Sequence, residues 1–450
     1  MKELAVIILA AGKSKRMKTR TPKVLHLLAG KPVIDYVLDA VKPMGASQTY
    51  MVVGYGMEQV TEHIGKEVTF VHQEPLLGTG HAVQQVMPHL KDFKGNVLVL
   101  CGDMPLISNE ILANFLASHL EDGAPLSLLT ARVPWETDFG RIVRDDKEAI
   151  EKIVEYRDAT PYERSLNEVN LSIYLFDADH LRKVLPRIGL PNVQKELYLT
   201  DTVYLTRTEG LAVHGHLCPD PEASRGINSR IDLQAIYQVM RRRTMERLML
   251  EGVTIIDPLS CHIDSTVKIG TDTVIYPYTI LEGNTVIGEE CHIGPSTRVS
   301  GATIASRVTI MHSIVMESTI DEETQVGPFA YIRPDNVIGK KVKIGDFVEL
   351  KKSVIGKGTK VPHLSYVGDA TLGEGVNIGA GTITCNYDGV RKNPTFIEDG
   401  AHIGSNTNLV APVRVGKHAV TGAGAVVTKD VPDYGLAVGI PAVIKKIIDH

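Results

Sequence analysis

A short loop near the amino terminus carries the residue types that bind a phosphate. Residues 9–17 read LAAGKSKRM, directly after an apolar run, and Pro22 and Lys23 follow. Small residues let backbone N–H groups approach a phosphate closely, and the charges of Arg16 and Lys23 neutralise it. The loop is neither GxGxxG nor a P-loop, so it predicts neither a dinucleotide site nor simple NTP hydrolysis. We interpret it as a nucleotide phosphate loop; an ordinary small-residue turn is the alternative.

A second group of polar residues lies far along the chain, where a regular pattern breaks. This group surrounds His363 in sequence and comprises Arg333, Lys351, Tyr366, Asn377 and Lys392. Its basic and hydrogen-bonding side chains suit a sugar phosphate, and a histidine that titrates near neutral pH suits removal of a proton from an amine. A single histidine is more often a surface or hydrogen-bonded residue, but these neighbours favour a catalytic base.

The phosphate loop follows the first of several strand-like runs that alternate with helical patterns. The predicted strands are 4–10, 49–53, 68–72, 97–101, 126–133 and 169–176, and apolar residues at helical spacing occupy 33–41, 82–90 and 111–116. This alternation predicts a mostly parallel α/β sheet with helices on both faces. Ligands of such sheets bind beyond the carboxyl ends of the strands, where the loop lies.

A helix is predicted to connect this sheet domain to the rest of the chain. Ser229 and Asp232 have capping-box spacing, and apolar residues then keep helical spacing to about residue 251. We therefore divide the chain into a nucleotide-binding domain over 1–227, a linker helix over 228–252 and a second domain over 253–450.

The second domain is predicted from a branched aliphatic at every sixth position. Seven stand from Ile263 to Val299, seven from Ile314 to Leu350 and four from Ile397 to Val415. A period of six spreads around an α-helix but falls on one face of an extended chain, because six is even. Glycines that follow many of these aliphatics permit bends, so we predict a parallel β-helix of about ten coils. A β-sandwich with chance spacing is the alternative.

The hexad pattern breaks near the second polar group. The spacing falls to five residues from Leu350 to Ile355 and from Val367 to Leu372. Between Thr384 and Phe396 the chain inserts a segment too polar for the side of a coil. Such slips and loops redirect side chains, which is why a site is expected there.

Composition limits the functions that the chain can have. Its 450 residues predict two or three domains, and the net charge of −5 leaves no electrostatic footprint for nucleic acid. The five cysteines are odd in number and lack CxxC spacing, which indicates a reducing compartment rather than disulfides or a zinc ribbon. No apolar run reaches membrane-spanning length, so we expect a cytoplasmic protein without a membrane segment.

The first domain resembles the sugar-1-phosphate nucleotidyltransferases, whose signature is LxAGxGxRM followed by PK. Ser14 stands where that signature has its second glycine, and Gln73 with residues 78–82 resembles the family's base-recognition segment. The resemblance implies that Asp103 and Asn228 hold Mg²⁺. It also implies that the nucleotide and sugar nucleotide contact Leu9, Ala10, Ala11, Gly12, Arg16, Lys23, Gln73, Gly78, Thr79, Cys101, Gly102, Asp103, Gly140, Glu155, Asn170 and Asn228.

With the hexads and the His363 group included, nearly the whole chain is similar to the bacterial bifunctional N-acetylglucosamine-1-phosphate uridyltransferase/glucosamine-1-phosphate acetyltransferases. The resemblance implies an α/β Rossmann-like nucleotidyltransferase domain, a linker helix, and a left-handed parallel β-helix of hexapeptide repeats with a short C-terminal tail. It implies a homotrimer with acetyl sites between subunits and His363 as the general base. The implied sugar-phosphate residues are the other five of that group, and the implied acetyl-CoA residues are Ala380, Asn386, Tyr387, Ser405 and Ala423. Near its C terminus the family has an arginine where this chain has Ile440.

The implied function is synthesis of UDP-N-acetylglucosamine from glucosamine-1-phosphate, acetyl-CoA and UTP, which supplies peptidoglycan and lipopolysaccharide precursors. One alternative is a monofunctional sugar-1-phosphate nucleotidyltransferase whose β-helix serves oligomerisation or regulation. A non-catalytic alternative is a subunit like those of a eukaryotic translation-initiation exchange factor, which share the two-domain plan. That reading would lead one to expect Lys23 or Asp103 to be lost, and both are present.

Overall fold

The computed structural model describes residues 3–13, 15–135, 137–189 and 192–447. The chain forms two compact units, Met1–Val239 and Met240–His450. The division falls within a long helix, so the predicted linker contributes residues to both units.

The first unit is built on a nine-stranded sheet, with a small two-stranded hairpin beside it. Its strands are Glu3–Leu9 (β1), Leu27–Leu28 (β2), Lys31–Pro32 (β3), Gln48–Val53 (β4), Thr69–His72 (β5), Gly95–Cys101 (β6), Leu126–Arg132 (β7), Arg141–Arg144 (β8), Ile150–Val154 (β9), Glu168–Asp177 (β10) and Val213–Leu217 (β11). The main order is β11-β7-β10-β6-β1-β4-β5, with β8 paired to β10, β9 paired to β8, and β2 paired only with β3. Strand β10 runs antiparallel to both β6 and β7, and the other neighbours in the main order are parallel. The predicted mostly parallel sheet is confirmed.

Eight α-helices are present in the described part of the chain. They are Val33–Val41 (α1), Met57–Ile64 (α2), Thr79–Val86 (α3), Asn109–Asp122 (α4), Pro161–Ser165 (α5), Ala178–Val184 (α6), Asp201–Thr208 (α7) and Arg230–Leu250 (α8). Short 3₁₀ turns occupy Lys15–Met17, Lys23–Leu25, Lys42–Met44, Met87–Leu90, Leu185–Arg187 and Pro221–Ser224.

The helices of the first unit cover both faces of the sheet, as predicted. Val6 and Ile8 of β1 pack in one buried cluster with residues of α1, α2 and α4. Ala5 and Ile7 of the same strand pack in another cluster with residues of α3, α6 and α7. Successive side chains of a strand point to opposite faces, so one strand serves both cores.

All six predicted strands of this unit and the three helical patterns lie on observed elements, with ends shifted by up to six residues. The sequence prediction omitted α2, α5, α6, α7, β2, β3, β8, β9 and β11. Several of these are short, and β8 and β9 bury few side chains deeply, so their apolar pattern is weak.

Helix α8 begins with the capping box that the sequence predicted. The Asp232 N–H donates to Ser229 Oγ at 3.2 Å, and Asp232 Oδ2 accepts from the Ser229 N–H at 2.7 Å. The same oxygen accepts from the Asn228 N–H at 3.1 Å. The cap therefore also holds the backbone of a predicted metal ligand.

The second unit is a stack of coils with three flat sides. Sheet I contains Thr254–Ile255, Val274–Ile275, His292–Ile293, Thr309–Ile310, Gln325–Val326, Lys343–Asp346, Lys360–His363, Asn377–Ile378, His402–Ile403, Val420–Thr421, Gly435–Gly439 and Ala442–Ile447. Sheet II contains His262–Ile263, Ile280–Glu282, Arg298–Ser300, Ile314–Met316, Tyr331–Ile332, Glu349–Lys351, Tyr366–Gly368, Ile383–Cys385, Asn408–Val410 and Val426–Val427. Sheet III contains Lys268–Ile269, Val286–Ile287, Thr303–Ile304, Thr319–Ile320, Val337–Ile338, Val354–Ile355, Ala370–Leu372, Thr395–Ile397 and Val413–Val415.

The strands within each sheet are parallel, except where Ala442–Ile447 closes the stack as an antiparallel hairpin with Gly435–Gly439. The predicted parallel β-helix of about ten coils is confirmed. Its sequential aliphatics form one buried column that runs the length of the unit.

The predicted hexad column is wrong at one position. Ile314 is 42% exposed, and its neighbour Val315 is fully buried in its place. The buried series runs Ile304, Ile310, Val315, Ile320, so two consecutive sides have five residues rather than six. Counting in sixes from Ile320 backwards could not detect this slip because Ile314 is itself a branched aliphatic. The predicted five-residue sides ending at Ile355 and Leu372 are confirmed, since both residues are buried.

The glycines that follow the aliphatics were predicted to permit bends, and most serve close packing instead. Gly294 and Gly327 do have positive φ, 105° and 102°. At Gly345, however, an added Cβ would lie 1.8 Å from the Pro362 carbonyl oxygen of the next coil. A side chain there would push the coils apart.

None of the described helices is long and apolar enough to cross a membrane.

The burial difference between Ile314 and Val315 can be tested by truncation. We expect Val315→Ala to lower the free energy of unfolding by about 2 kcal/mol, because it removes buried methyl groups and leaves a cavity. Ile314→Ala is the matched control and should cost less than about 0.5 kcal/mol, as is usual for a surface position. Urea unfolding followed by far-ultraviolet circular dichroism measures both. A larger loss from Ile314→Ala would contradict the observed register.

Candidate active sites

A cleft of about 530 Å³ opens at the carboxyl ends of β1 and β6. The parallel register of these strands pairs Leu9 with Cys101, so the loops that follow them lie side by side. Most of the predicted nucleotide-binding residues line this cleft: Leu9, Ala10, Ala11, Gly12, Lys23, Gln73, Gly78, Thr79, Cys101 and Asp103. The Gly102 N–H donates to the Leu9 carbonyl at 2.9 Å and joins the two loops.

The predicted metal ligands lie beside Lys23. The Lys23 ammonium donates to the Asp103 carboxylate, and its Nζ lies 3.4 Å from Asn228 Oδ1. The Ile227 N–H donates to the Asp103 carbonyl at 3.0 Å, which brings the Asn228 segment to Asp103. Two side-chain oxygens, from Asp103 and Asn228, thus converge on the Lys23 ammonium. Oxygen atoms placed in this way could also bind Mg²⁺.

No group of three or more His, Cys, Asp or Glu suited to a metal ion exists among the described residues. Mg²⁺ usually takes only one or two protein carboxylates together with substrate phosphates. The Asp103 and Asn228 pair therefore stays the candidate.

Arg16 lies outside this cleft. Its Nη1 donates to Asp138 Oδ2 at 3.2 Å in an exposed ion pair, and it lines a neighbouring cavity of about 340 Å³ together with Asn228. An exposed pair of this kind contributes little stability and can open. Ser14, which departs from the family signature, lies outside the described residues.

The predicted base-recognition segment is held by the chain that precedes α7. Gln73 is buried, and its Nε2 donates to the Gly78 carbonyl at 3.0 Å. Thr79 Oγ1 accepts from the Leu199 N–H at 3.1 Å. Gly78 has φ of 102°, and a Cβ there would lie 2.7 Å from the Leu197 carbonyl oxygen, so only glycine fits.

Three of the residues predicted to contact the sugar nucleotide, Gly140, Glu155 and Asn170, come together near the start of β10. The Asn170 N–H donates to the Gly140 carbonyl at 2.9 Å, and a Cβ at Gly140 would lie 3.6 Å from Glu155 Oε2. Thr200 Oγ1 donates to Glu155 Oε1 at 3.3 Å. Burial raises the pKa of Glu155 above its usual range, and Asp158 adds to the shift.

Sequence reasoning missed Arg141, which holds the loop that carries Gly140. Its guanidinium donates to the carbonyls of Phe139 at 2.5 Å, Thr137 at 3.0 Å and Arg164 at 3.3 Å. It also missed Glu196, which lines the cleft. Neither residue belongs to a local motif, so only the folded chain identifies them.

In the second unit, the predicted base lies in a column of residues at one position of successive coils. The register of sheet I places Asp346, His363, Ala380, Ser405 and Ala423 one above the other. Backbone bonds continue the register at this corner: the Asn406 N–H donates to Ala380 O at 2.7 Å, and the Gly424 N–H donates to Ser405 O at 2.8 Å. The structure thus groups the predicted base with three of the predicted acetyl-CoA residues.

Two of the predicted sugar-phosphate residues, Lys351 and Tyr366, lie on sheet II, Arg333 directly follows one of its strands, and Lys392 lies in the insertion. Lys351 and Lys392 are neighbours, and the Lys351 ammonium lowers the pKa of Lys392. Arg333 Nη1 donates to Glu349 Oε1 at 2.9 Å. Asn386 Nδ2 donates to the Tyr366 hydroxyl at 3.3 Å and also to the Asp369 carboxylate. A basic face of this kind suits a phosphate.

The structure does not bring the whole predicted set together within one chain. Asn377 pairs with Lys360 and His402 in sheet I, whereas Lys351 and Tyr366 belong to sheet II. Tyr387 is 62% exposed in the inserted hairpin, where it pairs with Lys392. Ile440 is exposed at the turn of the closing hairpin, next to Ala442–Ile447, which carries Lys445 and Lys446.

Sequence reasoning also missed the carboxylates of this region. Asp346 Oδ1 lies 2.6 Å from His363 Nδ1, Glu349 accepts from Arg333, and Asp369 accepts from Asn386. Asp346 stands 17 residues before His363, which is one coil. That spacing was a usable signal once five-residue sides were recognised.

Comparison with known families supports the division into two kinds of fold. A family profile described as a MobA-like NTP transferase domain matches residues 6–160. The bacterial transferase hexapeptide profile matches residues 266–301 and 394–429, in accord with a left-handed β-helix, and a GMPPB C-terminal domain profile matches residues 315–387.

Relatives that match nearly the full length of the chain share one name. The chain is 49% identical over 438 residues to the bifunctional protein GlmU of Heliobacterium modesticaldum, covering 97% of this chain and 96% of the relative. It is 46% identical over 447 residues to that of Brevibacillus brevis, covering 99% and 97%. It is 49% identical over 432 residues to that of Carboxydothermus hydrogenoformans, covering 96% of each.

The thiol of Cys101 at the edge of the cleft should be unreactive. Burial raises its pKa to about 12, and Asp103 adds to the shift while Lys23 opposes it. Only the thiolate reacts, so at pH 8 very little of the thiol is available. We expect alkylation of Cys101 by iodoacetamide to be at least about 100-fold slower in the native protein than in urea, measured by peptide mass spectrometry. Equal rates would contradict this environment.

Proposed function

This chain belongs to the family of bifunctional GlmU proteins, and on that premise we propose that it makes UDP-N-acetylglucosamine in two steps. It acetylates glucosamine-1-phosphate with acetyl-CoA, and then transfers UMP from UTP to N-acetylglucosamine-1-phosphate with release of pyrophosphate. One observation carries the proposal: a single chain contains two separate groups of polar side chains, each suited to one of these reactions. The alternative of a monofunctional nucleotidyltransferase is not favoured, because relatives over the full length are named bifunctional.

Uridylyl transfer is assigned to the cleft of the first unit. A phosphate oxygen of the sugar phosphate attacks the α-phosphorus of UTP, the P–O bond to the β-phosphate breaks, and pyrophosphate leaves. The attacking oxygen is already anionic, so the chain mainly positions the groups and neutralises charge. Lys23 supplies one positive charge in the cleft, and Arg16 becomes available when its exposed pair with Asp138 opens.

We assign Asp103 and Asn228 as the protein ligands of Mg²⁺. When bound, the ion withdraws charge from the phosphate oxygens of UTP. Gln73, Gly78 and Thr79 contact the base, and Gly140, Glu155 and Asn170 contact the sugar; their proximity to one another supports this assignment.

Acetyl transfer is assigned to the His363 column. His363 takes a proton from the sugar amine while the amine nitrogen attacks the thioester carbonyl. The C–N bond forms, the C–S bond breaks, and the proton passes to the departing sulfur of CoA. Ser405 or nearby backbone N–H groups stabilise the developing oxyanion.

We assign the remaining contacts of this site by the same reasoning. Arg333, Lys351, Tyr366, Asn377 and Lys392 bind the sugar phosphate. Ala380, Asn386, Tyr387, Ser405 and Ala423 bind acetyl-CoA.

We further propose a homotrimer in which neighbouring copies complete each acetyl site. The distribution of the assigned residues over sheets I and II supports this, because no single face of one chain carries them all. Phe329 and Phe347 add support: their rings stack at 5.4 Å, yet they are 55% and 59% exposed in one chain. The five free cysteines fit the reducing cytoplasm, and the product fits a role in supplying cell-wall precursors.

An assay that omits one component at a time tests the proposed function. The purified chain is incubated with glucosamine-1-phosphate, acetyl-CoA, UTP and Mg²⁺. Omitting acetyl-CoA should abolish CoA release and UDP-N-acetylglucosamine, and omitting UTP should leave acetylation intact. Absence of acetylation in the complete mixture would leave the monofunctional alternative.

Replacing His363 should separate the two activities. We expect His363→Ala to lower acetyl transfer by at least about 100-fold, because it removes the general base. Uridylyl transfer to N-acetylglucosamine-1-phosphate should stay within about two-fold of wild type, since that reaction belongs to the other unit. Loss of both activities would refute the separation.

Replacing Asp103 should affect the other activity. Asp103→Asn removes one negative charge from the proposed Mg²⁺ site, so we expect weaker Mg²⁺ dependence and at least about a ten-fold loss of uridylyl transfer. The acetylation rate should stay within a few-fold in the same preparation. Unchanged UTP turnover would remove Asp103 from the metal site.

A further inference from the structure

The base assigned to acetyl transfer has a carboxylate partner that no local motif marks. Asp346 and His363 are paired residues of neighbouring coils in sheet I. Asp346 Oδ1 lies 2.6 Å from His363 Nδ1, a short hydrogen bond to an ionised carboxylate. Both side chains reach solvent, at 38% and 55% exposure, so this contact is accessible rather than buried in a core.

The contact with Asp346 selects one tautomer of the His363 imidazole. A carboxylate can only accept, so Nδ1 must carry the proton and Nε2 keeps its lone pair when the ring is neutral. The hydrogen bond from His363 also lowers the pKa of Asp346 below its usual range, which keeps this carboxylate ionised at neutral pH. Lys343 is the other charged group that lowers it, and the described residues include no further ion pair to Asp346.

In this column, the coil that follows His363 supplies no polar side chain to the imidazole ring. Ala380 occupies the same position one coil further on, and its methyl group cannot form a hydrogen bond. The backbone on either side is fixed: Ser365 Oγ donates to the His363 carbonyl at 2.7 Å, and the Leu364 N–H donates to the Asp346 carbonyl at 2.9 Å. In the described part of the chain, Nε2 has no hydrogen-bond partner.

We propose that Asp346 is a positioning residue for acetyl transfer, whose carboxylate holds His363 as the Nδ1–H tautomer and so directs Nε2 at the substrate amine. The inference rests on the proposed acetyltransferase function. During the reaction the amine proton moves to Nε2, and the ionised Asp346 stabilises the imidazolium that results. The proton then leaves with the CoA sulfur as the C–S bond breaks, which restores the starting form.

Substitutions at Asp346 test the kinetic part of the proposal. Loss of a hydrogen-bond partner that orients a metal-binding histidine typically costs about 10–100-fold in metal affinity or activity, and we take the same range for this base. We expect Asp346→Ala to lower kcat for acetyl transfer by that factor while KM for glucosamine-1-phosphate and acetyl-CoA changes less than about two-fold. Asp346→Asn should lose less, because its Oδ1 still accepts from Nδ1–H but carries no charge.

Two controls separate positioning from a general structural effect. Asp272→Asn makes the same isosteric change at an exposed position of another coil, and it should leave acetylation unchanged. Uridylyl transfer, measured in each preparation, should be unchanged in all variants. A kcat for Asp346→Ala within about two-fold of wild type would overturn the proposal.

The tautomer can be read without any activity measurement. Full-length protein labelled with ¹⁵N-histidine gives ring nitrogen shifts that distinguish Nδ1–H from Nε2–H, and the signal missing from His363→Gln identifies His363. We expect Nδ1–H in wild type and a shift toward Nε2–H in Asp346→Ala. An unchanged Nδ1–H signal in Asp346→Ala would overturn the inference, whereas wild type that fails to acetylate glucosamine-1-phosphate would refute the proposed function itself.

Discussion

The register between parallel strands decides which residues meet in this protein. In the first unit, the pairing of Leu9 with Cys101 brings the phosphate loop to the strand end that carries Asp103. In the second unit, the pairing of Asp346 with His363 joins residues of two successive coils. A slip of one residue in either register would turn each side chain to the opposite face. Both sites therefore depend on the apolar packing that fixes the register.

The two candidate sites differ in what shifts the pKa values of their side chains. In the first, burial dominates: it raises the pKa of Glu155 and takes the pKa of Cys101 to about 12. In the second, the side chains reach solvent, and hydrogen bonds or near charges dominate the shifts of Asp346 and Lys392. This difference follows from the architecture, since a cleft between loops excludes water while the outer faces of a three-sided coil stack remain wet.

Departures from the six-residue period occur in the region where chemistry is assigned in the coil stack, and also between Ile310 and Ile320, where none is assigned. Sides of five residues end at Ile355 and Leu372, and the insertion with its Tyr387–Lys392 pair follows. The inward aliphatics tolerate these changes, because each side needs only one buried residue to keep the column closed. Outward residues change their relative positions with each slip, so a regular core can carry an irregular polar surface.

The amino-acid sequence alone determined the fold class of both units, the Ser229–Asp232 cap of α8, and the segments that form the two candidate sites. Those features depend on residue periodicity and on short motifs, which are local. The prediction from sequence misplaced Ile314. Two neighbouring aliphatics, Ile314 and Val315, can each continue the column, and only packing selects one. Arg141 and Glu196 became visible only in the folded chain, because loop closure brings their partners close and no local pattern contains them. Asp346 was also missed, although the 17-residue length of its coil could have paired it with His363 from the sequence.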